Sequence, residues 1–136
     1  MSNPAPEPGD WWLFQRLSFG EREDRLELQH RETLRSQQAW AAYQFVEESV
    51  ERGGEEALEV VLRLLDAAPP EKGHATVGAG PLEDLVNDHG NALADSIDEL
   101  ARRRPDFAAC LATVAVDEST LQPDTVRRLS RWLRTD

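Results

Sequence analysis

Glu83, Asp84, Asp88 and His89 are the residues whose types and spacing come nearest to chemistry in this chain. Asp84 and Asp88 are i, i+4 neighbours, so on a helix their carboxylates share one face. With Glu83, His89 and His74 they make a set of hard-to-borderline ligands suited to a divalent cation. Just upstream, Gly78, Gly80 and Pro81 offer a different chemistry. Glycines let backbone N–H groups approach a ligand, and a proline at the first helical position opens a helix whose N-terminus attracts anions. The two candidates oppose each other, because Glu83 and Asp84 occupy the turn an anion would use and already answer the helix dipole. The cation set in turn lacks a His-x-x-x-His or Glu-x-x-His pairing, and paired acids at i, i+4 are common on solvated helices. Capping is the simpler account of Gly78 to Gly90: glycines for a close turn, Pro81 for a helix start, Glu83 and Asp84 for its dipole, Gly90 for its stop. Asp88 and His89 are left without a structural task. No catalytic set, metal ligand set or cofactor is expected.

Other chemically suggestive side chains have weaker settings. His30 lies in a charged stretch with no Ser or Cys in a recognisable nucleophile position, and Cys110 falls between Phe107 and Leu111 on an apolar helical face with no activating neighbour. Arg127, Arg128, Arg131 and Arg134 give the last segment a basic face, which dipole compensation and pairing with an acidic body explain without nucleic acid. Trp11 and Trp12 are different. Adjacent residues cannot share one narrow helical face, and their surroundings are too weakly patterned to bury both rings, so this pair is expected to serve as an exposed interface anchor. Trp40 is expected in the core.

A chain of 136 residues with 26 Asp and Glu against 15 Lys and Arg carries a net charge of -11. That charge repels nucleic-acid phosphate and anionic lipid, and it favours a protein partner with a basic surface over either. With a single cysteine there is no intrachain disulfide, and no window approaches a membrane span, so a cytoplasmic protein is expected.

The elements that must position these residues read as helices throughout. Ser2 to Gly9 holds three prolines and reads as a disordered tail over 1–9. Asp10 offers an N-cap for a short helix with Trp11, Trp12, Phe14 and Leu17, and Glu21 to Arg35 reads as a solvated helix or arm, together an appendage over 10–35. A compact domain over 36–136 follows. Ala39, Ala42, Tyr43, Val46 and Val50 recur at helical spacing before Gly53-Gly54, and Leu58, Val61, Leu62 and Leu65 repeat the pattern before Pro69-Pro70. A short helix from Pro81 is expected to end at Gly90. The next carries Leu93, Ile97, Leu100 and Ala101 and ends in Arg102-Arg103-Arg104. Pro105 opens a helix with Phe107, Cys110, Leu111 and Val114 inward, and Gln122-Pro123-Asp124 opens a last one with Val126, Leu129 and Leu133 inward. The expected class is all-α, an irregular stack of helical hairpins, solenoid or HEAT-like in outline, with no sheet.

The run Ala79-Gly80-Pro81-Leu82-Glu83-Asp84-Leu85, with His89-Gly90 after it, resembles the signature of a bacterial domain family of unknown function. Trp40-Ala41-Ala42-Tyr43, the Leu58 to Leu65 segment and Ala101-Arg102-Arg103-Arg104-Pro105-Asp106-Phe107 are similar to its neighbouring blocks in order and spacing. The resemblance covers about residues 36–116 and implies a small, mostly helical domain without an assigned activity. After Thr113 the family tends to carry Val-Trp, where this chain reads Val114-Ala115-Val116-Asp117.

Three functions follow as expectations. Size, acidity and the want of a catalytic set favour a non-catalytic protein-interaction module, of which an immunity or antitoxin-like neutralising partner is the sharpest form. A metal- or ligand-dependent enzyme centred on Gly78 to Gly90 is the second, and a structural homodimer through Trp11 and Trp12 the third.

Overall fold

The computed structural model describes residues 5–70 and 73–133, and among them every regular element is helical. The all-α class expected from the periodicity is the one observed.

The first helix, α1, runs Pro8–Ser18 with Pro8 in its first turn, so the chain becomes helical before Asp10, which lies in that first turn and helps its dipole instead of capping it. Residues 1–4 of the expected tail lie outside the described residues. The expectation for the tryptophans is corrected: Trp11 and Trp12 are both buried, at 3% and 9% exposure. Their rings meet edge to face, centroids 4.8 Å apart and planes at 87°, so each covers the other and two neighbouring indoles need no common face. Helix α2, Arg22–His30, buries none of its residues, as its charge implies. Asp24 Oδ2 accepts the Glu21 backbone N–H at its start (3.2 Å), and Arg31 ends it in the left-handed region at φ 54°.

Helix α3 spans Leu34–Arg52. Thr33 starts it: its hydroxyl accepts the Ser36 backbone N–H at 3.2 Å, and the Ser36 hydroxyl donates to the Thr33 carbonyl at 2.8 Å. Ala39, Ala42, Val46 and Val50 are buried as their spacing predicts. Tyr43 is half-buried and stacks on Phe14, 4.2 Å and 11° apart, while Trp40 is half-buried too and carries the Arg31 guanidinium 4.2 Å over its ring. The described residues fall into two compact units divided between Glu48 and Ser49, within α3.

In the second unit, Gly53 and Gly54 join α3 to α4, Gly54–Asp66, with no intervening loop. Both have φ above 70°, a conformation that side-chain-bearing residues resist. Ala57, Leu58, Val61, Leu64 and Leu65 form the buried stripe of α4, with Leu62 left half-buried at its edge. Helix α5, Gly73–Val77, leads into a widened turn, Gly78–Leu82, kinked at Gly80. Helix α6, Glu83–Arg103, follows without interruption. A stop at Gly90 was expected and is not found: Gly90 is buried mid-helix, where a Cβ would stand 3.0 Å from Leu121 Cδ2. The glycine makes room for a neighbour, and that packing outweighs its poor helix propensity. Helix α7 is Pro105–Leu111 and α8 is Pro123–Leu129, with residues 112–122 irregular between them apart from turns. The helical face expected to run from Phe107 to Val114 therefore stops at Leu111, although Val114 is still buried.

Helix α6 packs against α4, α7 and α8 and organises this unit. Its Ser96 hydroxyl donates to Glu55 and Arg104, at its C-cap, bonds Asp66, so the pairs advance together along both chains and α4 runs parallel to α6. Arg104 Nη2 lies 2.8 Å from Asp66 Oδ1 and 2.7 Å from Asp106 Oδ2, and its Nε donates to Asp106 Oδ1 at 3.1 Å. One guanidinium thus clamps α4, α6 and α7 at a common end. Among the described residues no helix is long and apolar enough to cross a membrane.

Candidate functional site

The polar stripe of α6 is spent on the irregular segment that follows α7. Glu83, Asn87 and Asn91 recur every four residues, which on a helix sets them one above another. Glu83 Oε1 accepts the Ala115 backbone N–H at 2.9 Å. Asn87 donates to the Ala115 carbonyl at 3.0 Å and accepts the Asp117 N–H at 2.8 Å. Asn91 repeats that pattern a turn later, donating to the Thr120 carbonyl at 3.2 Å and accepting the Gln122 N–H at 2.8 Å. Each asparagine amide offers a donor and an acceptor to peptide groups that have no helix or sheet to satisfy them. Leu121, buried against the Gly90 notch, completes the attachment. Sequence reading missed this ladder, although the i, i+4, i+8 repeat of Glu, Asn and Asn was visible beside a stretch without periodicity.

His89 also has a structural task. Its Nε2 lies 2.9 Å from the Glu51 carbonyl, which only accepts, so that nitrogen carries the hydrogen. The ring lies against Gly53, where a Cβ would come within 2.6 Å of His89 Cγ and Nδ1. His89 therefore holds the α3–α4 junction to α6, and Gly53 is small because the imidazole needs its space.

Of the four proposed site residues on α6, only Asp84 and Asp88 keep solvent-exposed carboxylates on one face. Partial burial, then the negative charges of Asp88 and Glu83, push the Asp84 carboxyl above its ordinary range. The pair can hold a proton or attract a cation, but Glu83 and His89 turn to other partners. Among the described residues no three His, Cys, Asp or Glu side chains are grouped as ligands for a metal. Trp11 and Trp12 are buried, which removes the exposure on which their anchoring role rested.

A second polar centre escaped the sequence reading. Asp98, 5% exposed on the inner face of α6, accepts the Trp132 indole N–H at 2.8 Å. Arg102 Nε lies 3.4 Å and Arg128 Nε 3.6 Å from its other oxygen, and Arg128 also meets Asp95 at 3.2 Å. The Trp132 hydrogen bond first, then the two guanidinium groups, hold the Asp98 carboxyl below its ordinary range. Three of the four arginines of the last segment are thereby accounted for: Arg128 by this centre, Arg127 by Asp124, and Arg131 by the Trp132 ring 5.4 Å away. Arg134 lies outside the described residues. Cys110 is fully buried, and burial pushes its thiol up to about 12, far from a reactive thiolate.

These features define a small all-α protein whose most motif-like segment is an architectural joint. The chain belongs to a family of unknown function, DUF6869, whose profile matches residues 28–135. That match begins before and ends beyond the stretch over which the resemblance was read. No curated protein and no solved structure matches the chain.

Proposed function

We propose that the chain is a non-catalytic binding module that covers a basic surface on another protein. The observation that carries this reading is where the polar groups of the best catalytic candidate go. Glu83 and His89 bond the backbone at Ala115 and Glu51, so the Gly78 to Gly90 segment reads as a joint, while the chain as a whole carries a net charge of -11. Such a field accelerates encounter with a cationic partner and repels acidic competitors. A neutralising role of the immunity or antitoxin kind is the form of the proposal that uses this field most directly, and a cytoplasmic setting accords with the free Cys110.

The test is capture of a binding partner by the native chain, followed by titration with salt. Binding should weaken steeply as ionic strength rises. A partner held equally well in high salt overturns the reading. The raised carboxyl of Asp84 beside Asp88 favours the enzyme alternative, and the Asp84→Ala/Asp88→Ala variant separates the two. Under the binding-module reading, purified protein carries no bound metal and the variant changes nothing beyond a small effect on stability.

A further inference from the structure

Helix α8 ends at Leu129, and Ser130 follows it into a turn with its side chain exposed. The Ser130 hydroxyl donates to the Arg127 carbonyl, one turn back, at 2.9 Å. Arg127 and Arg128 stand three and two residues before it, and no other serine or threonine in the chain has two arginines among the three residues that precede it. We infer that Ser130 is a phosphorylation site, the acceptor for a serine/threonine protein kinase whose substrate cleft presents carboxylates to those two arginines. The inference is independent of the binding-module reading.

Two arginines at fixed distances before a hydroxyl are a charge pattern that a kinase reads with paired carboxylates, since each guanidinium makes charge-assisted bonds. In the transfer, Ser130 Oγ attacks the γ-phosphorus of a nucleoside triphosphate, and the bond from that phosphorus to the β,γ-bridging oxygen breaks. The diphosphate leaves with the electron pair, and the hydroxyl proton passes to a carboxylate of the kinase. The two arginines are not equally available. Arg127 pairs with Asp124, both side chains more than three-quarters exposed, an ion pair of little net strength in water. Arg128 is held by α6, 3.2 Å from Asp95 and 3.6 Å from Asp98, and the Trp132 indole donates to the same Asp98 at 2.8 Å. The site is therefore gated: the kinase gains Arg128, and a backbone it can draw out, only when the attachment of the last segment to Asp98 opens. Once transferred, the phosphate brings about −1.5 to −2 charges to a helix C-terminus, where the carbonyl ends repel it. Arg127, on the same face one turn back, answers that charge by leaving Asp124.

The experiment incubates the whole chain with ATP and the catalytic subunit of a kinase selective for arginines upstream of serine, and follows phosphate by mass spectrometry of proteolytic fragments. Phosphate should appear on Ser130, and the Ser130→Ala variant should take up none. Arg127→Gln should slow the initial rate by about tenfold, the loss of one charge-assisted contact. Asp95→Asn, an exposed change on α6, and Asp98→Asn should each speed it severalfold, because they release Arg128. Circular dichroism verifies that the variants fold. An unmodified Ser130, or a rate that Arg127→Gln leaves unchanged, overturns the site. Rates that Asp95→Asn and Asp98→Asn both leave unchanged overturn the gate.

Discussion

A methyl group added at Gly78 would overlap the Thr113 hydroxyl and stand 2.5 Å from the Cys110 carbonyl. Gly78 is buried where α7 ends against the turn before α6, so neither neighbour has open space to enter. Gly78→Ala should cost about 2 kcal/mol in chemical denaturation, within the range for overpacked sites. Adding Thr113→Ala should recover part of that loss and no more, because the carbonyl stays. Full recovery would show that the hydroxyl alone sets the spacing. Asn87→Ala is the complementary case, removing a donor and an acceptor from one irregular segment. It should cost about 1–2 kcal/mol and speed hydrogen exchange at the Asp117 amide, since the lost bonds are partly exposed. At this scale the sequence showed which residues were special and misjudged why. Gly90 reads as a stop because glycine is a poor helix former, and only the position of Leu121, distant in sequence, reveals it as a notch. Asp98 was passed over because a single acid in an apolar stripe looks like an edge position until Trp132 and Arg128 are seen to reach it.

Helices with sustained periodicity were legible, and the joints between elements were not. α3 and α4 follow their apolar spacing, and the glycine pair separates them where expected. Residues 112–122 defeat the same reasoning, because the groups that satisfy their backbone come from side chains about thirty residues earlier. Two such joints are built on carboxylates, and they set the behaviour in acid. Glu27 takes both Arg35 nitrogens at 2.6 Å and the Thr33 hydroxyl at 2.7 Å, tying α2 to the start of α3. Arg35 first and Thr33 next lower its carboxyl from 4.5 to about 2. Asp98 is lowered from 3.8 in the same sense by Trp132, Arg102 and Arg128. A carboxyl lowered by folding stabilises above its unfolded value and loses that contribution as pH falls through its folded one. The α2–α3 junction should therefore hold at pH 5 and loosen between pH 4.5 and about 2, followed through the Glu27 side-chain resonance. The Trp132 attachment should weaken below pH 3.8, read from tryptophan fluorescence. Asp98→Asn keeps an acceptor for the indole but removes the charge facing Arg102 and Arg128, so it should flatten the second transition and leave the first intact.

For the whole molecule, acid has two opposed consequences whose balance can be worked out in advance. At neutral pH the chain carries -11, and self-repulsion opposes compactness. Protonation toward the isoelectric point near 4.7 relieves that repulsion. Asp84 acts in the same direction, because a carboxyl raised by folding disfavours the folded state when ionised and ceases to do so once protonated. Glu27, Asp98 and the Arg104-paired Asp106 act in the opposite direction, but only at or below their ordinary carboxylate values. Thermal stability should therefore rise from pH 7 to a maximum near pH 5 and fall steeply below pH 4. For a chain of this length each kcal/mol corresponds to roughly 3–5 °C in Tm, so a gain of a few degrees at the maximum is readily measured by scanning calorimetry. Salt supplies the control. At pH 7 it screens the repulsion and should raise Tm, while near pH 4.7, with little net charge left to screen, the same addition should leave Tm almost unchanged. A Tm that falls steadily from pH 7 downward, or that is indifferent to salt at pH 7, would mean that local ion pairs outweigh the collective charge, and the acidic surface would lose its standing as the dominant electrostatic property of the fold.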